Sequence, residues 1–120
     1  IRKMCPDAEI TAVGTNSVAA QNMLGSNCAD DLATGENAVV VASRKADVIA
    51  GPLGIIAADA LFGEISPKMA NAVASSSACR VLIPMNLCDT YVAGVMRGSG
   101  AILEDALEQI RQLAEKERNK

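Results

Sequence analysis

The sequence predicts an α/β domain of three layers, a parallel sheet with helices on both faces. Three observations lead there. Short apolar runs alternate with helical segments along all 120 residues, the pattern of strand–helix–strand units. The runs are continuously apolar rather than alternating, as in strands covered on both faces. Three of them also stop in small or polar residues, and right-handed crossovers would deliver those stops to one edge of a sheet.

The elements follow in order. Ile1 to Met4, followed by Cys5-Pro6-Asp7, reads as the last turn of a helix: Arg2 and Lys3 suit a helix C-terminus and proline follows the stop. The expectation is therefore that an earlier part of the fold lies upstream. Residues 8–13 (AEITAV) form a strand ending at Gly14-Thr15-Asn16. Ser17 opens a helix of small residues to about Leu24, stopped by Gly25. Residues 28–33 are too short and mixed to assign. Thr34 can cap a helix from Glu36 to about Arg44, although the β-branched Val39, Val40 and Val41 leave a strand as the alternative.

Residues 47–50 (DVIA) are the next strand, and residues 55–61 form a short apolar helix. Ser66-Pro67 is a strong helix start, a capping hydroxyl followed by proline at the first helical position, with the helix reaching Ser75. Residues 80–84 (RVLIP) read as a buried strand, and residues 90–95 as a further one. A last helix runs from Ala101 to Arg118. Leu103, Leu107, Ile110 and Ala114 would form its buried stripe, with Glu104 and Asp105 at its start and Lys116 and Arg118 at its end. One domain spans residues 1–120.

Composition removes several functions. Histidine is absent, which rules out Ser-His-Asp and Cys-His catalysis and His-ligated zinc within this chain. Cys5, Cys28, Cys79 and Cys88 form no C-x-x-C pair, so a thiolate metal site or redox motif is not expected. They read as reduced core thiols of a cytoplasmic protein. A net charge of −3 and two aromatics, Phe62 and Tyr91, argue against nucleic acid as a partner. No apolar run approaches the ~18 residues that span a bilayer, so no membrane partner is expected either.

The candidate site is the shared strand edge. Gly14, Thr15 and Asn16 follow the first run, Gly51, Pro52, Leu53 and Gly54 the second, and Asn86 the third. Glycines permit close backbone approach, and Thr15, Asn16 and Asn86 offer neutral hydrogen-bonding groups. Ordinary turn chemistry explains any one of these loops alone. Gly35, Glu36 and Asn37 open a helix whose backbone N–H groups could hold a phosphate or carboxylate, provided Glu36 faces away. The available acid–base groups are Glu36, Asp47, Asp59, Glu64, Asp89, Lys45 and Lys68, and no spacing among them marks a catalytic pair.

The succession Ala-Val-Gly-Thr-Asn (12–16), Ala-Thr-Gly-Glu-Asn-Ala (33–38), Asp-Val-Ile-Ala-Gly-Pro-Leu-Gly-Ile (47–55), Gly-Glu-Ile-Ser-Pro-Lys-Met-Ala (63–70) and Leu-Ile-Pro-Met-Asn-Leu-Cys (82–88) resembles a prokaryotic family of small Rossmann-like proteins of unknown function. The resemblance covers nearly the whole chain. It implies a Rossmann-like fold and a first strand and glycine-rich turn of the form D-G-Q-G-G-G-I-G, which this chain lacks. It implies no activity.

The functional expectation is a cytoplasmic protein that binds a nucleotide or phosphorylated small molecule at the carboxyl edge of the sheet. NAD is not favoured as the cofactor, because Gly14-Thr15-Asn16 carries no acid for the ribose hydroxyls. The alternative is a non-enzymatic homo-oligomeric module, sealed by the apolar stretch 53–62.

Overall fold

The structure is a computed structural model that describes residues 1, 5–15, 29–84, 91–93 and 99–120. It is a mixed α/β chain with two pairs of parallel strands and three helices among those residues. Strand β1 (Thr11–Gly14) pairs with β2 (Asp31–Thr34), with Thr11 opposite Asp31 and Gly14 opposite Thr34. Strand β3 (Val48–Pro52) pairs with β4 (Cys79–Ile83), with Val48 opposite Cys79 and Pro52 opposite Ile83. Helix α1 (Glu36–Lys45) connects β2 to β3, α2 (Pro67–Ser75) connects the β3 turn to β4, and α3 (Ser99–Arg118) closes the chain.

The parallel pairing of the second and third apolar runs is as expected. The first run, however, lies beside β2 and not beside β3, so the described strands form two two-stranded sheets rather than one. Strand β2 carries no clear signal in the sequence. Its Asp-Leu-Ala-Thr carries too little apolar character to stand out, and pairing comes from a local clamp. The Asp30 carboxylate accepts the Ile10 N–H (2.8 Å) while the Asp30 N–H donates to the Ile10 carbonyl (2.8 Å), which fixes the register ahead of β1.

Helix α1 forms despite its valine run. Glu36 lies in its first turn and Arg44 and Lys45 in its last, as the helix dipole favours. Val39 also packs against the core cluster of Ile65, Met69 and Ala70, and Val40 is buried. That packing outweighs the β-branched penalty, which is a few tenths of a kcal/mol per residue. Thr34 does not cap it: Thr34 ends β2, and Gly35 occupies the cap with φ 99° and no side-chain bond.

Helix α2 begins as expected. The Ser66 hydroxyl accepts the Met69 N–H (3.2 Å) and Pro67 takes the first turn. Met69, Ala70 and Val73 form its buried face. Residues 55–61 do not make a helix. A single 3₁₀ turn (Leu53–Ile56) gives way to hydrogen-bonded turns through residue 64, with Asp59, Leu61 and Phe62 all at positive φ. Ile55, Ala60 and Leu61 pack against the α2 cluster, so their burial comes from a folded-back turn.

Strand β4 is half-buried, not fully buried as its composition suggested, because among the described residues it has β3 alone as a neighbour. Helix α3 packs against β4 and β3. It starts at Ser99, so Glu104 and Asp105 fall beyond its first turn, while Lys116 and Arg118 do lie in its last. Its buried residues are Ala106 and Ile110, whereas Leu103 is 49% exposed; the expected stripe is thus rotated toward Ala106. Cys5 is a buried free thiol, but Cys79 is exposed, since the first residue of β4 is uncovered. Cys28, Cys88, the helix expected from Ser17 and most of residues 90–95 lie outside the described residues.

Candidate functional site

The carboxyl ends of β1 and β2 bring together two of the segments singled out from sequence. The Gly35 N–H donates to the Gly14 carbonyl (3.0 Å), which continues the β1–β2 ladder one step into the α1 start. Gly14, Thr15, Gly35 and Glu36 therefore share one edge, and Asn37 follows in the first turn of α1.

The loop ahead of α2 closes over this edge. The Thr15 hydroxyl donates to the Glu64 carboxylate, and the Ser66 hydroxyl donates to the Glu36 carboxylate (2.5 Å). Ser66 acts twice, capping α2 while holding Glu36. The starts of α1 and α2 are thereby linked side by side. The Ser66 hydroxyl thus holds the Glu36 carboxylate toward the α2 start.

The β3 turn reaches the same region by apolar packing. Gly51 and Pro52 end β3, and Leu53 and Gly54 open the 3₁₀ turn. Ile55 then packs on the Ile65–Met69–Ala70 cluster behind the loop. A Cβ at Gly51 would meet Ile55 Cδ1 at 3.1 Å, and one at Gly54 would meet Ala60 and Leu61 at 3.5–3.7 Å. These two glycines thus admit the protein's own side chains. At Gly35, in contrast, no atom lies within 4 Å of an added Cβ. Asn16 and Asn86 lie outside the described residues.

Glu64 and Ser66 were not placed at the site from sequence. Glu64 stood only among the scattered acids and Ser66 only as a cap. Their motif, Gly-Glu-Ile-Ser-Pro, was the available signal. Glu64 also changes the ribose argument, because an acid missing beside Thr15 in sequence arrives 49 residues later in space. Chemically, the edge offers two carboxylate acceptors, two hydroxyls and the open backbone N–H groups of α1. Among the described residues no cluster of three or more Cys, Asp or Glu side chains could hold a metal ion.

Two parallel strand pairs, with described helices between β2 and β3 and between β3 and β4 and polar loops at the β1–β2 carboxyl edge, define a mixed α/β chain with a concentrated polar edge. The model of the family described as domain of unknown function DUF3842 matches residues 1–116, and the chain belongs to that family. No curated protein and no solved structure matches it.

Proposed function

We propose that the protein binds a nucleotide or phosphorylated small molecule at the carboxyl edge of β1 and β2, within a three-layer Rossmann-like fold. The observation that carries the reading is the double link Thr15–Glu64 and Glu36–Ser66, which gathers polar groups from three segments at one strand edge. Ligand hydroxyls would donate to Glu36 and Glu64. The phosphate would take the backbone N–H groups at Glu36 and Asn37, supported by the helix dipole. Cytoplasmic residence is part of the same proposal, and among the described residues no helix is long and apolar enough to cross a membrane.

The test is isothermal titration of the full-length protein with a panel of nucleoside mono- and diphosphates, alongside Thr15→Val and Glu36→Gln. The expected result is binding by one class of nucleotide, weakened at least tenfold in each variant while circular dichroism is unchanged. Silence across the panel at millimolar concentration, or variants that bind as well as the native chain, would reject the reading.

A second reading, self-association, is favoured by one observation. Phe62 is fully exposed at the tip of a turn whose Asp59, Leu61 and Phe62 all take positive φ, and Ile56 is 37% exposed in the same segment. Such conformations cost of order 1–3 kcal/mol each outside glycine, and burying Phe62 against a second copy would offset that strain.

A further inference from the structure

Helices α1 and α2 run side by side in the same direction. Glu36 and Ser66 join their starts, and the Ser76 hydroxyl donates to the Ser43 carbonyl (2.6 Å) at their ends. Between them lies a groove of about 540 Å³. Its floor is small and apolar, from Val40 and Ala72, and Asn71 lies along it. Lys68 stands at one end, in the first turn of α2, and Arg44 at the other, in the last turn of α1 beside Ser76. At 1.5 Å per residue the two positions are about 12 Å apart along the helices.

Both cations are exposed, and neither makes an ion pair or hydrogen bond with a described residue. No acid lines the groove. Arg111, Arg118 and Lys120 each face a carboxylate, whereas Lys45 and Lys116, like the two groove cations, pair with none among the described residues. In a chain of net charge −3, two cations without a carboxylate partner at the ends of one groove form a local positive field, which the C-terminal dipoles of the two helices reduce at the Arg44 end. Their separation suits two anionic groups on one elongated molecule. None of the residues of the β1–β2 edge lines the groove, so this site is additional to the one proposed above.

We propose that the α1–α2 groove binds an elongated phosphorylated molecule with an anionic group at each end, one held by Lys68 and the other by Arg44. Arg44 can take its anion bidentately, and Lys68 acts as a point charge. Asn71, which lines the groove between them, meets the polar body of the ligand.

Titration calorimetry at low salt, using fructose 1,6-bisphosphate as probe and fructose 6-phosphate and inorganic phosphate as comparisons, tests this. The bisphosphate should bind at least tenfold more tightly than either monoanionic-end probe. Arg44→Ala and Lys68→Ala should each weaken it about tenfold, whereas Lys116→Ala and Thr15→Val should leave it unchanged. No heat at millimolar bisphosphate, equal affinity for mono- and bisphosphate, or indifference to Arg44→Ala and Lys68→Ala would overturn the proposal. Loss of binding in Thr15→Val would overturn it too, by moving the probe to the sheet edge. Because Arg44 and Lys68 are exposed, unchanged circular dichroism of both variants keeps a loss of binding separate from a loss of fold.

Discussion

Gly35 and Ser66 carry more of the candidate site than their size suggests. Gly35 holds φ 99° and ψ 179° at the junction of β2 and α1, a conformation that essentially only glycine adopts. Space is open beyond its Cα, so backbone strain and not a clash sets the effect of a side chain there. Gly35→Ala should destabilise the protein by about 1–3 kcal/mol, measured by urea unfolding; an unchanged midpoint would mean the junction relaxes. Ser66 caps α2 and restrains Glu36 with one hydroxyl. Ser66→Ala should cost about 1 kcal/mol, and Ser66→Thr should retain most of that stability. Gly35→Ala and Ser66→Ala should also loosen the link between the α1 and α2 starts, because Glu36 loses its backbone position in the first and its donor in the second.

Among the helices, α2 was legible nearly to the residue, because Ser66-Pro67 encodes its start through local backbone chemistry. Helix α1 was ambiguous from sequence, since its valines suit a strand equally well, and contact with α2 settled it. Helix α3 carries a local electrostatic device. Arg111 donates to Glu108 through Nη2 (2.6 Å) and Nε (3.0 Å), and Gln112 donates to it as well (3.1 Å). The hydrogen bonds from Arg111, then Gln112, pull the Glu108 carboxyl down from 4.5 to about 2. The folded value lies below the unfolded one. The pairing therefore stabilises the helix above about pH 4.5 and is lost as pH falls toward 2. Circular dichroism at low salt should show Glu108→Ala less helical than the native chain at neutral pH and indistinguishable from it near pH 2. Because the pair is exposed, added salt should shrink the difference at neutral pH.

At the scale of the whole molecule, the core is assembled around α2, with α1 on one flank and the turn after β3 on another. That turn leaves Phe62 outside. If self-association covers it, light scattering should give a mass above that of one 12.4 kDa chain, and Phe62→Ser should return the mass to that of the monomer. A monomer at all concentrations would leave Phe62 as an exposed turn residue and reject the second reading. The two readings are separable, since Phe62 makes no hydrogen bond at the β1–β2 edge and Thr15→Val should leave the mass unchanged.

The sequence by itself determined what depends on near neighbours along the chain: the α/β class, the start of α2 at Ser66-Pro67, the positions of three of the four strands among the described residues and the glycines that end β1 and β3. It also singled out Gly14 and Thr15 as the stop of a strand and Gly35 and Glu36 as the start of a helix, both signals of local sequence. Tertiary structure alone decided the rest. Strand β2 was invisible because Asp31 and Leu32 are exposed and its pairing rests on the Asp30–Ile10 clamp, across 20 residues. Gly51 and Gly54 read as openings for a ligand, yet Ile55, Ala60 and Leu61 fill them, because the chain turns back on itself after β3 instead of continuing as a helix. Glu64 came to Thr15 from 49 residues away. Such long-range pairings depend on how helices and turns pack in three dimensions, and the local spacing of residue types carries no record of it.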